Sequence, residues 1–111
     1  MKFGDIYLVN FDPSTGHEYQ SKRPALIIQT DEQLCQSNMV TIMPLTSKTN
    51  NSHGDDIELV ADSGNRLYRN SLIKVHHINS FDRTRFLYQI GHADESTMGK
   101  VGEYLKKHFG V

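Results

Sequence analysis

Residues 94–109 form the one long stretch of this chain that places apolar side chains at helical spacing. Met98, Val101, Leu105 and Phe109 fall on one face, with Tyr104 beside them. Asp94 is a good N-cap, Glu95 suits the positive end of the helix dipole, and Lys106, Lys107 and His108 suit the negative end. Gly110 can end the helix. Gly99 and Gly102 each cost about 1 kcal/mol of propensity relative to alanine, so this helix is expected to depend on packing. Everything before it is broken into short apolar or alternating runs by turn-forming residues. Strands are expected at 5–11, 24–29, 39–45, 57–60, 71–78 and 86–90. Pro44 suggests an edge or a strand end, because proline donates no ladder hydrogen bond. Asp62-Ser63-Gly64-Asn65 is turn chemistry, and 31–37 has room for one helical turn. About six short strands and one end helix predict a small antiparallel barrel or sandwich, mainly β with a C-terminal helix.

A chain of 111 residues without repeats or linkers fits one domain over 1–111. No apolar run approaches the roughly 20 residues that span a bilayer, and the N-terminus lacks the apolar stretch of a secretory signal. One cysteine, Cys35, permits no internal disulfide and no cysteine cluster for zinc; a cytoplasmic location is expected. The six histidines show no HExxH spacing, and neither a metal nor a cofactor is predicted. A net charge of −1 excludes a globally basic binder of duplex DNA. It leaves room for a local basic cleft, which depends on where charge is placed.

Two polar loops could carry chemistry. Residues 12–23, DPSTGHEYQSKR, combine turn formers with His17, Glu18, Lys22 and Arg23. Residues 46–56, TSKTNNSHGDD, contribute nothing to a core. Arg23 directly precedes Pro24 and an apolar run, so its backbone is anchored where a strand begins. An arginine there can reach solvent, pair with Glu18, or grip phosphate oxygens with its rigid fork.

The string GDIYLVNFDPSTGHEYQSKRPALII resembles the N-terminal signature of the MazF/PemK toxin endoribonucleases. The matching positions are Gly4-Asp5, Asp12-Pro13, Gly16 and Glu18, and Arg23-Pro24; Thr46 matches the threonine or serine that closes the next apolar strand. RNSLIKVHHINSFDRTRF is similar to the family's later strand and D-x-x-R turn, and the end helix fits as well. The chain departs from the family pattern at Tyr19, which separates Glu18 from Gln20, at Asn70, where many members carry aspartate, and at His77, where many carry glutamine.

The resemblance implies an SH3-like barrel of the CcdB/PemK type, a homodimer, cleavage of single-stranded RNA, and inhibition by a cognate antitoxin whose acidic disordered tail folds on binding. RNA brings its own nucleophile, the 2′-hydroxyl, so the reaction needs no metal and leaves a 2′,3′-cyclic phosphate and a 5′-hydroxyl. Arg23 is expected to stabilise charge on the phosphorane and Thr46 to orient the phosphate. Glu18 positions Arg23 or contacts RNA. Arginine is a poor base, with a pKa above about 12, so His17 is a second candidate for proton transfer. Lys22, Ser71 and His77 are expected RNA contacts; His76 and His77, adjacent on a strand, should point to opposite faces. Lys48 and Lys74 read as solvated surface or backbone contacts. The competing readings are a CcdB-like inhibitor of DNA gyrase and an inactive interaction domain of the same fold.

Overall fold

A computed structural model describes residues 1–12 and 21–111. Its strands are β1 (Asp5–Asn10), β2 (Lys22–Ile27), β3 (Met39–Thr46), β4 (Ile57–Leu59), β5 (Ser71–Ile73), β6 (Asn79–Asp82) and β7 (Phe86–His92). Helices α1 (Asp31–Gln36) and α2 (Glu95–Phe109) complete it. The seven strands form one antiparallel sheet in the order β4-β5-β3-β2-β1-β7, with β6 also pairing β3. The architecture is the expected mainly-β fold with an end helix. The ladder does not close, because β4 and β7 are not hydrogen-bonded to each other. The chain after β4 bridges that gap: Gly64 accepts a 3.1 Å hydrogen bond from the His92 amide of β7.

Alternation along the strands divides the core in two. Ile6, Leu26, Met43, Leu45 and Ile73 pack with Val101 and Tyr104 of α2. Val9, Ala25, Ile27, Val40 and Ile42 pack with Leu34 of α1. Asp94 caps α2 through its side chain, at 2.7 Å from the Thr97 amide. Gly110 ends α2 in the left-handed region at φ 69°. Phe109 departs from the expected core face. It is 61% exposed.

Two expectations about the strands are corrected. Pro44 marks no edge: it lies inside β3, opposite Ala25. On its other side β6 pairs with 39–42 and β5 with 45–46, so proline falls in the gap between two partners. The Pro44 carbonyl accepts from the Lys74 amide at 2.9 Å, so its missing donor faces that gap. The strand expected over 71–78 ends at Ile73, and a turn follows, closed by a 3.0 Å bond from the His77 amide to the Lys74 carbonyl. Strand alternation therefore does not govern His76 and His77. The chain re-enters the sheet as β6, a strand whose polar sequence NSFD concealed it.

Several signature residues have local structural work. Gly4 holds φ 91°, and a Cβ there would come within 3.3 Å of Met98 on α2. Asp5 accepts the Lys2 amide at 2.8 Å. Asp82 caps the turn after β6 through the Thr84 amide at 2.9 Å. Arg85 donates to the carbonyls of Asn10 and Asp12, so the D-x-x-R turn fixes the end of β1.

Candidate active site

The loop that leaves β1 and returns in β2 is tied at its base. The Phe11 amide donates to the Ser21 carbonyl at 2.8 Å, and the Ser21 amide donates to Asp12 Oδ1 at 3.0 Å. Ser21 is held at φ 59°, a conformation uncommon outside glycine, immediately before Lys22 and Arg23. On β2, Arg23 stands opposite Val9 of β1. The β2–β3 ladder pairs Ala25 with Pro44; continued two residues in the same register, it brings Arg23 level with Thr46. Residues opposed in an antiparallel pair share a face, so this extended register sets both residues on one face at the end of the sheet. Both are half-buried. Thr46 Oγ1 accepts the Lys48 amide at 3.2 Å, which fixes the hydroxyl where β3 ends.

Beside this pair lies a cleft of about 700 Å³. Lys22, Arg23, Arg66 and Arg69 supply its cations, and no carboxylate lines it among the described residues. A chain with net charge −1 thus gathers four positive groups around one concavity. Pro24, Leu8 and Leu45 form part of the apolar wall, and Tyr68 and Tyr88 add aromatic rings. Ser71 lines the cleft with its hydroxyl donated to the Arg69 carbonyl at 3.1 Å. Its oxygen remains able to accept a bond from a ligand.

The segment 60–70 that carries Arg66 and Arg69 is a built structure. Asn65, 1% exposed, accepts the amides of Asp62 (3.0 Å) and Leu67 (3.1 Å) and donates to the Val60 carbonyl at 2.8 Å. Asp62 Oδ1 accepts the amides of Gly64 and Asn65 at 2.8 and 2.7 Å. Arg66 follows at φ 56°. The segment lies so close to β7 that a Cβ on Gly91 would come within 2.3 Å of the Asn65 carbonyl oxygen. Only glycine fits there.

The predicted site residues separate into three groups. Lys22, Arg23 and Ser71 meet at the cleft; Thr46 is level with Arg23 in the extended register but does not line the cleft, although its neighbours Leu45 and Ser47 do. His77 does not line it; it lies in the turn after β5. Glu18 and His17 lie outside the described residues. Arg66, Tyr68, Arg69 and Tyr88 were missed. The string RLYR at 66–69 was the available signal, since basic residues interleaved with an aromatic suit a nucleic-acid strand.

A second cluster of ionisable groups surrounds the C-terminal half of α2. The Tyr104 hydroxyl lies 3.1 Å from Nδ1 of His76 and 2.7 Å from Nδ1 of His108. Asp55 pairs with Lys107 at 2.9 Å and approaches His76 at 3.4 Å. The Lys107 hydrogen bond is the main reason its carboxyl titrates below the usual range. Burial pushes the Tyr104 phenol up, and Asp55 adds to this. Lys74 is not the surface residue expected from sequence: it is 7% exposed and pairs with Asp56 at 2.6 Å. Burial would raise the Asp56 carboxyl, but the His53 amide and the Lys74 ammonium outweigh it and hold it below its ordinary value. Among the described residues no group of three His, Cys, Asp or Glu side chains is placed to hold a metal ion. Nor is any helix there long and apolar enough to cross a membrane.

The profile of the PemK-like, MazF-like toxins of type II toxin–antitoxin systems matches residues 2–109. Endoribonuclease MazF of Staphylococcus saprophyticus is 25% identical over 111 residues, covering 100% of this chain and 92% of its own. The crystal structure of MazF from Deinococcus radiodurans superposes with a TM-score of 0.83 at 24% identity, covering 100% of this chain and 97% of the other. A MazE–MazF crystal structure from the same organism gives 0.80 at 22% identity, covering 100% and 96%.

Proposed function

The chain belongs to the PemK-like, MazF-like toxins of type II toxin–antitoxin systems, and from that premise we propose that it is an endoribonuclease that cuts single-stranded RNA without a metal. The observation that carries this reading is Arg23 in a cleft lined by four cations and no described carboxylate, with Thr46 level with it in the extended β2–β3 register but outside that lining. In the proposed reaction the 2′-hydroxyl attacks the adjacent phosphorus, the P–O5′ bond breaks, and a 2′,3′-cyclic phosphate and a 5′-hydroxyl form. The Arg23 guanidinium stabilises the charge gathered on the phosphorane oxygens. Thr46 donates its hydroxyl proton to a non-bridging oxygen, its oxygen being held in place by the bond it accepts from the Lys48 amide. Lys22, Arg66 and Arg69 hold neighbouring phosphates, and Ser71 accepts a bond from a base or ribose. His17 accepts the 2′-hydroxyl proton and returns a proton to the leaving 5′-oxygen, and Glu18 positions Arg23 or contacts RNA. His77 enters no step, since it lies away from the cleft.

We place the toxin in the cytoplasm, as a single domain over 1–111 acting as a homodimer. Its partner is an antitoxin with an acidic disordered tail, since the cleft that holds polyanionic RNA suits a negative peptide equally well; the MazE–MazF complex from Deinococcus radiodurans supports this choice of partner.

The test is incubation of a mixed-sequence single-stranded RNA with the protein in EDTA, beside Arg23→Ala. Cleavage to cyclic-phosphate ends that disappears with the substitution is the expected result. A magnesium requirement, or full activity of Arg23→Ala, refutes the mechanism; gyrase inhibition without RNA cleavage identifies a CcdB-like toxin instead.

A further inference from the structure

Four tyrosines fall among the described residues, and they divide sharply. Tyr7 packs edge-on against Phe86 with ring centroids 6.1 Å apart, and Tyr104 is 7% exposed and bonded to two histidines. Tyr68 is fully exposed and Tyr88 is 59% exposed. Neither makes a ring contact or side-chain hydrogen bond among the described residues, and both line the cationic cleft.

The exposure of Tyr68 is imposed by its surroundings. The backbone on either side is held by the Asn65 hydrogen bonds, by the 2.9 Å bond from the Ala61 amide to Asn70, and by contact with Gly91. Its neighbour Leu67 packs into the core, which turns Tyr68 outward between Arg66 and Arg69. Tyr88 reaches the cleft from β7, where it stands opposite Leu8.

We propose that Tyr68 and Tyr88 are nucleobase-stacking residues, which hold unpaired bases of the RNA while Arg66 and Arg69 hold its phosphates. The inference rests on the ribonuclease reading and extends it to residues outside the reacting centre. A single strand presents alternate demands along its length: cations for the backbone and flat apolar faces for bases that have lost their stacking partners. The run Arg66-Leu67-Tyr68-Arg69 supplies both within one turn of chain, and Tyr88 repeats the flat face on another element. Stacking of this kind tolerates any base, so it serves affinity and geometry rather than sequence choice.

The experiment measures binding by fluorescence anisotropy with a mixed-sequence single-stranded 2′-O-methyl RNA, which cannot supply the nucleophile and is not cut. Tyr68→Ala and Tyr88→Ala are each expected to weaken binding by about five- to a hundredfold, and Tyr68→Phe and Tyr88→Phe by less than about twofold. The dependence of affinity on salt should keep its slope in all four, because no phosphate contact is lost. An abasic version of the same strand should bind more weakly to the wild-type protein, and no more weakly to a protein with both tyrosines changed to alanine. Alanine variants that bind the 2′-O-methyl RNA as tightly as wild type overturn the inference, while wild-type cleavage of unmodified RNA leaves the ribonuclease reading standing. An alanine loss that is undiminished on abasic RNA also overturns the stacking inference. Loss of binding to an acidic peptide, with RNA binding intact, would assign the tyrosines to a protein partner and overturn it as well. A wild-type protein that neither binds nor cuts RNA refutes both readings. Tyr68 is fully exposed, so its replacement removes no burial, and a melting curve confirms that each variant is folded.

Discussion

The two clusters of ionisable groups in this small protein are built on opposite principles. Around α2, acids and bases alternate: Asp56 faces Lys74, Asp55 faces Lys107 and His76, and Tyr104 joins His76 to His108. Around the cleft, Lys22, Arg23, Arg66 and Arg69 are gathered without a described carboxylate. The first arrangement pairs its charges with one another and ties a loop and a helix to the sheet, with Asp56 Oδ1 left without a hydrogen-bond partner among the described residues. The second sets four cations side by side around one concavity with no described carboxylate in its lining, at a cost in repulsion that the scaffold carries. That contrast separates structural from functional charge better than the number of charged residues does.

The contrast can be broken by experiment, starting where the effect should be largest. Arg23→Ala should slow single-turnover RNA cleavage by about a hundred- to a thousandfold while leaving the urea midpoint almost unchanged. A large loss of stability instead would make Arg23 a structural residue. Lys74→Ala should do the reverse, costing about 3 kcal/mol in urea unfolding because it strands a buried carboxylate, with cleavage per folded molecule unaltered. Gly91→Ala should cost about 2 kcal/mol or more and, unlike Lys74→Ala, also weaken RNA binding, because it pushes the Arg66–Arg69 segment off β7.

Acid offers a subtler test. The Asp56 carboxyl titrates below the ordinary aspartate value of 3.8 in the folded chain, so its contribution is present above that value and lost as pH falls through the folded pKa. Stability should therefore decline on acidification below about pH 4, and Asp56→Asn should be less stable at neutral pH with a flatter acid limb. The smallest effect belongs to Arg69→Ala. It should weaken RNA binding several-fold and lower the salt slope by about one, with stability unchanged. An unchanged slope would remove Arg69 from the phosphate contacts.

Much of this was legible in the chain itself. The period of apolar residues marked six of the seven strands and the end helix, and the Asp94 cap and Gly110 stop are where the residue types placed them. β6 escaped because NSFD has no alternation to read, and its pairing with β3 supplies what its side chains do not. Pro44 misled because a proline's local restriction says nothing about a gap between two neighbouring strands. Arg23 and Thr46 were readable as motif positions, but their being level depends on the β2–β3 register.

By itself, then, the sequence determined the elements, the family signature and Arg23 as the residue to examine, because local propensity and motif spacing are properties of neighbouring residues. Only the tertiary structure decided that Arg66 and Arg69 would join Lys22 and Arg23, that Tyr68 and Tyr88 would stand open beside them, and that Lys74 would be buried. Those outcomes depend on strand pairing and on a backbone contact at Gly91 that brings residues distant in the chain to one place. Pattern along a chain reports what each segment prefers. Which charges end up facing a neighbour, and which face solvent, is fixed only when the segments pack.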